Sequence, residues 1–258
     1  MKECAIHPTA VVKAKDLGEG CEIGPYCVIG EHVVLGPRCR LHSHVVIDGH
    51  TRLGAENEIF PFASIGLKTQ DLKWAGGLTR TEIGNRNTFR ECITINSATG
   101  DGEVTVVGDE NHILAYSHVA HNVRIGNGVV MSNVATLAGH VVVEDYAVIG
   151  GLAAIHQFCR IGRMSIVGGC SKVVQDVPPF MLADGNPAET RTINKVGMER
   201  RGVSEEAQAA LRQAYKILFR EGLTIPNALE RIEQKLPDCP EVQHLVQFVR
   251  TSERGISK

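Results

Sequence analysis

With 258 residues, 43% of them hydrophobic and 22% charged, the chain has enough apolar material for one long core and a smaller second one. A formal net charge of −2 excludes a role resting on bulk attraction to nucleic acid or to an anionic membrane surface. Met1-Lys-Glu-Cys-Ala opens no apolar leader and no run approaches a membrane span, so the chain is expected to work in the cytoplasm without inserting into a bilayer.

From near residue 5 an aliphatic residue returns every sixth position: Val11, Leu17, Ile23, Ile29, Leu35, Leu41, Ile47, Leu53, Ile59 and Ile65. A period of six fits neither a helix, which repeats every 3.6 residues, nor a flat strand alternating every two. It fits a parallel β-helix of hexapeptide repeats, a triangular prism in which each rung buries its apolar side only by stacking on the next. Glycine often follows the aliphatic (Gly18, Gly24, Gly30, Gly36, Gly54, Gly66), which is read as the demand of a tight corner for positive φ. Cys21, Cys27, Cys39 and Cys159 take the small interior position. With no Cys-x-x-Cys pair, they read as buried free thiols of a reducing compartment.

The repeat breaks from Leu67 to Glu82, where Gln70, Asp71, Lys73 and the single Trp74 occur, resumes at Ile83, Phe89 and Ile95, and breaks again from Asn96 to Val106. These breaks, near 66–82 and 96–106, are expected to be loops thrown out from the prism. The first is expected to bind a ligand, since a lone tryptophan beside a carboxylate suits one and long loops in a compact domain are often functional. From Val107 to Val173 the period then runs without a slip, through Ile113, Val119, Ile125, Met131, Leu137, Val143, Ile149, Ile155, Ile161 and Val167. Small or β-branched residues stand four positions on, from Ser117 to Ser171.

Pro178 and Pro179 cannot donate ladder hydrogen bonds and end the pattern, and Gly185-Asn-Pro-Ala188 makes a turn. Beyond it the period becomes helical. Ser204 is a candidate N-cap, Ala207, Leu211, Tyr215 and Leu218 share a face, and Gly222 is a stop. Two more helices are expected near 226–235 and 240–251. The domains are thus expected at 1–190, the prism, and 191–258, a small helical domain.

If three hexapeptides make one coil, residues 18 apart stack about 4.8 Å from each other. His121 then lies under Gly139 and Gln157, and Asn122 under His140 and Phe158, with His118 and His156 alongside. A neutral imidazole, of reference pKa about 6.5, next to a backbone N–H at Gly139 that can face an oxyanion is the machinery of acyl transfer. Three alternatives stay open on geometry alone. The histidines can be a merely outward column, as His32 and His50 are expected to be. Imidazoles from neighbouring chains can hold zinc, as in a trimeric β-helix carbonic anhydrase, although no obvious carboxylate second shell accompanies them. A hexapeptide prism can also be a non-catalytic scaffold.

Several motifs are more specific: His118-Val-Ala-His-Asn122, Ala138-Gly-His140, Ile155-His-Gln-Phe-Cys159, Val167-Gly-Gly-Cys170, Gln175-Asp-Val-Pro-Pro179, Gln70-Asp-Leu-Lys73 and Arg200-Arg-Gly202. They resemble the UDP-N-acetylglucosamine O-acyltransferases of lipid A biosynthesis, over essentially the whole chain. The resemblance implies a homotrimer of left-handed parallel β-helices with active sites between subunits. It implies transfer of a (3R)-3-hydroxyacyl chain from acyl carrier protein, where phosphopantetheine carries it, to the 3-hydroxyl of UDP-N-acetylglucosamine, with no further cofactor and no metal. In that resemblance His121 matches the catalytic base and Gly139 the oxyanion N–H. His118, His140, His156 and Gln157 match residues around the acceptor sugar and acyl chain. Gln70, Asp71 and Lys73 match the nucleotide-sugar loop, Asn194 and Arg200 match residues on the nucleotide side, and Gly169 matches the position that limits acyl length.

Three residues depart from the family. Asn122 replaces the usual aspartate after the catalytic histidine, offering an acceptor for the imidazole but no charge; either another carboxylate orients His121 or the base works with less help. On this reading Asn122→Asp should hold or raise activity. Asn96 replaces a substrate-contacting histidine and Val196 a glutamate, which leaves a 3-amino analogue of the acceptor open. A related N-acyltransferase uses the same repeats but resembles a longer chain with an added N-terminal uridine-binding domain. Finally, Arg160, Arg163, Lys172, Arg191, Lys195, Arg200 and Arg201 exceed Asp176, Asp184, Glu189 and Glu199 around the upper prism, an excess that suits an acidic carrier protein. Gly169 is expected in the rungs above His140, leaving room for a longer acyl chain.

Overall fold

Apolar residues six apart can share one interior only if the backbone turns a corner between them, and three such corners close a coil. In the computed structural model, which describes residues 3–236 and 239–258, this happens throughout the first two thirds of the chain. Met1 and Lys2, the start of the expected prism domain, and Pro237 and Asp238 lie outside the described residues. The result is a left-handed parallel β-helix with three sheets, here faces A, B and C, of eleven, nine and eight strands. One coil shows the pattern: His112–Ile113 lies on face A, His118–Val119 on face B and Arg124–Ile125 on face C, after which Val130–Met131 pairs with His112–Ile113 on face A again.

The expected aliphatic column from Ile23 to Val173 is buried along its whole length, as are the small residues from Ser117 to Ser171 and the thiols of Cys21, Cys27, Cys39 and Cys159. Burial of each such large aliphatic contributes about 1.5–3 kcal/mol, and the column supplies the main core. One expected position is corrected. Val11 is 50% exposed, and Val12 stands in its place, paired with Ile29. The first coil is one residue short between Val12 and Leu17, so the register read back from the later coils slips there.

The reason given for the recurring glycine holds at Gly66, whose φ is 77°, and needs correction at the others. Gly24, Gly108, Gly126 and Gly150 do not have positive φ; the left-handed corner residues are others, among them Tyr116, Asn122, His140, Tyr146 and Phe158. Glycine is needed because a Cβ would strike the neighbouring coil: at Gly108 it would lie 2.6 Å from the Gly126 carbonyl oxygen, and at Gly150 2.6 Å from the Gly169 nitrogen. A buried ladder of asparagines, Asn57, Asn87 and Asn111, occupies one interior corner in place of the small residue. There Asn57 Oδ1 accepts from the Asn87 N–H, and Asn87 Oδ1 from the Asn111 N–H.

Above the last coil the chain forms an antiparallel hairpin, Met181–Gly185 with Ala188–Ile193, around the expected turn. Its second strand runs across the expected boundary between residues 190 and 191. Among the described residues four helices follow: α1 (Lys195–Arg200), α2 (Glu205–Phe219), α3 (Ile225–Lys235) and α4 (Pro240–Arg250). Ser204 caps α2 as expected, accepting from the Ala207 N–H at 3.1 Å. A second core formed by Leu211, Leu218, Ile232 and Leu245 closes over Met164, Phe180, Met181 and Ile193, so the helices form a lid on the prism end.

Replacing Gly150 by alanine is expected to destabilise the protein by about 1–3 kcal/mol, because the added carbon meets backbone rather than a yielding side chain. An unchanged denaturant midpoint would refute this account of the repeat glycines.

Candidate active site

The two insertions leave the prism at the same place. Each links a face-B strand to a face-C strand, Ser64–Leu67 to Arg80–Ile83 and Thr94–Asn96 to Val104–Val107, in adjacent coils. One coil on, the same edge carries His121 and Asn122, followed by Gly139 and His140, then Gln157 and Phe158. Stacking brings these columns into contact as expected. The His140 N–H donates to the His121 carbonyl at 3.1 Å, the two rings meet edge to face at 5.2 Å, and His140 stacks on Phe158 at 4.7 Å.

His121 packs against the neighbouring coil. A Cβ at residue 139 would collide with Cε1 and Nε2 of its ring, so only glycine admits the imidazole there. The Gly139 N–H has no acceptor among the described residues, while the Gly139 carbonyl accepts from the Phe158 N–H at 3.1 Å. On one side the ring faces Asp71, whose Oδ2 is 3.7 Å from Nε2. On the other, Nδ1 is 2.9 Å from Asn122 Oδ1.

Behind Asn122 stands a carboxylate that sequence reasoning did not find. Asn122 Nδ2 donates to Glu103 Oε2 at 2.7 Å, Asn122 Oδ1 accepts the Thr99 N–H at 3.1 Å, and the Gly100 N–H donates to the same Glu103 oxygen at 2.7 Å. The hydrogen bond from Asn122, then that from Gly100, holds the Glu103 carboxyl below its ordinary range. Asp71 is held below its own by the Lys73 N–H, at 3.0 Å, with smaller contributions from His121 and Lys73. His118, whose Nδ1 lies 2.7 Å from Thr94 Oγ1, and His140 are both shifted down, chiefly by burial and then by His121, so both are neutral near pH 7.

Of the expected site residues, this one edge gathers Gln70, Asp71, Lys73, His118, His121, Asn122, Gly139, His140, His156 and Gln157. Gln70, Lys73, His156 and Gln157 are exposed. Trp74 lies under the ammonium of Lys68, 3.9 Å from the ring centroid, and lines a cavity of about 520 Å³ with Asp48, His50, Lys68, Thr79 and Ser97. Asn96 turns inward and its Nδ2 donates to the Lys68 carbonyl, so it ties down the first insertion, whereas Val196 is exposed on α1.

Three expected residues lie elsewhere. Gly169 stacks on Gly151 along the edge between faces A and B, not above His140: residues 139 and 169 are five hexapeptides apart, and only multiples of three return to the same edge. Asn194 caps α1, accepting from the Gly197 N–H at 3.0 Å and donating to the Met164 carbonyl at 2.8 Å, which puts it by the edge between faces C and A. Arg200 is exposed in the last turn of that helix. The basic excess is smaller than its count suggests. Arg191 pairs with Glu189, Lys195 with Glu199, Arg160 with Glu144 and the Phe248 ring, and Arg201 covers Tyr146. Arg163, Lys172 and Arg200 have no side-chain partner among the described residues. His32 and His50 form the expected outward stack, 4.4 Å between ring centroids. Among the described residues of one chain no group of three or more His, Cys, Asp or Glu converges to hold a metal, and no helix is long and apolar enough to cross a membrane.

A hexapeptide prism with a histidine over a free backbone N–H has the build of a hexapeptide-repeat acyltransferase, and residues 16–49 match the family model described as bacterial transferase hexapeptide. Residues 176–257 match the model described as UDP N-acetylglucosamine O-acyltransferase, domain 2. An acyl-(acyl-carrier-protein)–UDP-N-acetylglucosamine O-acyltransferase of Thermodesulfovibrio yellowstonii is 50% identical over 256 residues, 98% of this chain and 99% of the relative, and one of Herminiimonas arsenicoxydans is 48% identical over 97% and 98%. Among solved structures, the UDP-N-acetylglucosamine O-acyltransferase of Moraxella catarrhalis superposes with a TM-score of 0.93 at 39% identity, covering 98% of this chain and 99% of that one. That of Bacteroides fragilis gives 0.92 at 38% identity, covering 99% and 98%. The chain belongs to the acyl-(acyl-carrier-protein)–UDP-N-acetylglucosamine O-acyltransferase family.

Gly139→Ala is expected to lower kcat by about 10² or more while leaving the fold intact, since the carbon displaces the imidazole and crowds the N–H together. Wild-type turnover in that variant would show that the contact between His121 and Gly139 is incidental.

Proposed function

We propose that the chain transfers a (3R)-3-hydroxyacyl group from acyl carrier protein to the 3-hydroxyl of UDP-N-acetylglucosamine, the first step of lipid A biosynthesis, with His121 as general base. The observation that carries this reading is the imidazole lying on Gly139 beside an unclaimed N–H. In the reaction the acceptor hydroxyl gives its proton to Nε2 as its oxygen attacks the thioester carbonyl. The Gly139 N–H donates to the oxyanion that forms, and the proton then passes to the departing phosphopantetheine thiolate. The protein needs no cofactor of its own for these steps. Family membership at about half identity over the full length supports the substrate pair.

We read the working unit as a homotrimer. The residues expected to touch one substrate lie on three different edges of a single prism, His121 on one, Gly169 on another and Asn194 by the third, and neighbouring copies packed edge to edge would bring them to one cleft. Exposed Arg163, Lys172 and Arg200 are offered as contacts for the acidic carrier. The fully buried free thiols suit the cytoplasm.

Incubation with hydroxyacyl carrier donor and either UDP-N-acetylglucosamine or its 3-amino analogue tests the acceptor directly. Ester formation on the former is expected, and preferential amide formation on the latter would move the chain to the alternative acceptor. His121→Ala is expected to lose about 10² to 10⁴ in kcat with an unchanged circular dichroism spectrum.

Gly169 is proposed to set acyl length from a second copy. Each methylene buried in the cleft contributes about 0.8 kcal/mol, so a preference near about C14 is expected, and Gly169→Met should shift it several carbons shorter. Competing donors between about C10 and C16 would show this as a change of rank order, and an unchanged order in a folded variant would remove Gly169 from specificity.

A further inference from the structure

The family position after the catalytic histidine is an amide here, and the structure supplies a carboxylate one hydrogen bond further out. We propose that Glu103 is the charged positioning partner of His121, acting through Asn122, so that a relay from Glu103 through the Asn122 amide to His121 fixes the imidazole tautomer and supports its protonated form during transfer. The proposal rests on the reading of His121 as general base and adds the residue that makes an asparagine serviceable beside it.

The amide has only one workable orientation. Its Oδ1 already accepts the Thr99 N–H at 3.1 Å and its Nδ2 donates to Glu103 Oε2 at 2.7 Å; rotated by half a turn, it would set an NH₂ against an N–H and an oxygen against a carboxylate. The oxygen facing His121 Nδ1 at 2.9 Å can only accept, so Nδ1 carries the hydrogen. Nε2 is left with the lone pair, and Nε2, with Cε1, is the part of the ring against Gly139. Glu103 is itself anchored, since its Oε2 accepts from the Gly100 N–H at 2.7 Å and its own N–H donates to the Gly100 carbonyl at 3.1 Å. The Asn122 N–H is held by Thr105 Oγ1 at 2.9 Å. Asn122 has φ of 60°, a conformation that asparagine and aspartate both tolerate, so exchange between them does not by itself strain the corner.

During transfer the proton from the acceptor hydroxyl stays on Nε2 until the thiolate takes it. The Nδ1 proton remains on the imidazolium and is donated to Asn122 Oδ1 throughout, and no proton passes to the amide or to Glu103. The charge of Glu103 acts by polarising the amide toward the ring. Other groups facing His121 are Asp71 and Lys73 from the first insertion, His118 from the same coil and His140 from the next. Of these only Asp71 is anionic, and it approaches Nε2 rather than the anchored nitrogen.

This geometry reverses the expectation for Asn122→Asp drawn from the sequence. With Glu103 in place, an aspartate oxygen would stand where Nδ2 now donates, against a carboxylate, and the variant should lose activity. Exchanging the two groups should restore it, because in the pair Asn122→Asp with Glu103→Gln a carboxylate meets Nδ1 and the amide at 103 donates to it from behind, turning its NH₂ from the Gly100 N–H, which now shares Oε2 with Asn122.

The test measures kcat, acceptor KM and the pH profile of kcat/KM for wild type, Glu103→Gln, Asn122→Asp, the double variant and His121→Ala, with melting curves on each. Glu103→Gln is expected to lower kcat about tenfold with acceptor KM little changed. Loss of a nearby negative charge disfavours the imidazolium, so the acidic limb of its profile should move to lower pH. Asn122→Asp should lose about tenfold or more, and the double variant should return to within about threefold of wild type, a recovery that a merely structural role would not produce. The proposal is overturned if folded Glu103→Gln keeps the wild-type kcat and profile, or if the double variant is no better than Asn122→Asp alone. Should Glu103→Gln prove unstable, the comparison of the double variant with Asn122→Asp decides. Retained turnover in His121→Ala would instead remove the general-base reading, whatever Glu103 does.

Discussion

Each corner of the prism is fixed by a backbone N–H donating to a carbonyl of the neighbouring coil, as Gly108 does to Ile125 and Gly126 to Val143, both at 2.8 Å. This ladder sets the distance between coils, and the other features follow from it. At that spacing the backbone after some inward aliphatics, as at Gly108 and Gly150, crosses the next coil too closely for a Cβ and only glycine fits, whereas other corners admit side chains such as Leu114, Ala138 and Glu144. The interior is wide enough for one aliphatic and one small residue per side, so the chain repeats every six residues. Side chains a whole coil apart must touch, and the contact of His121 with Gly139, on which the proposed chemistry rests, is one case of this stacking.

The period made most of the fold legible, because each inward position is constrained independently and a long run averages over local exceptions. It failed where a corner was one residue short: Val11 and Val12 are both apolar, and nothing in their types says which faces in. It also assigned the wrong cause to all of those glycines but Gly66. Close approach and positive φ both select glycine, and a sequence does not distinguish them; the left-handed corners take residues of many types, among them Arg38, Glu110, Tyr116, His140 and Phe158 as well as Gly128. The ladder of Asn57, Asn87 and Asn111 went unread because nothing in an asparagine's type says that it faces inward, whereas each amide here satisfies the backbone of the next coil from inside.

The site was legible to the extent that it is periodic. His121, Gly139, His140 and Gln157 belong to corner columns and could be stacked by arithmetic. Glu103 and Thr99 come from an aperiodic insertion, where no repeat says which side chain returns to the prism. The signal that could have found them is coarse: two polar insertions leave one edge in consecutive coils just before His121. Gly169 was misplaced because proximity in sequence to the upper rungs was taken for proximity in space, and a third of a coil moves a residue to another edge. That same arithmetic is what separates Gly169 and Asn194 from His121 within one chain, and it ties any function that uses all three to an assembly.

Two carboxylates flank the imidazole, and their positions give them opposite duties. Glu103 reaches the ring only through an amide and at the nitrogen that never exchanges with substrate, so it can remain in place while the reaction proceeds. Asp71 Oδ2 lies 3.7 Å from Nε2, the nitrogen that receives the proton in the proposed mechanism. A hydroxyl giving up its proton has to come within about 2.6–3.2 Å of that nitrogen, nearer than Asp71 now stands, so an acceptor must enter between them or move the loop. The Asp71 carboxyl, held below its ordinary range first by the Lys73 N–H, would on the proposed mechanism accept a hydrogen bond from the acceptor rather than take the proton itself. Had the negative charge next to Nδ1 been on residue 122 and Glu103 absent, the second insertion would have had no part in holding the base. With an amide at 122, that loop becomes a member of the catalytic edge, and its ordering through Thr99, Gly100 and Glu103 becomes a condition for the imidazole to present Nε2.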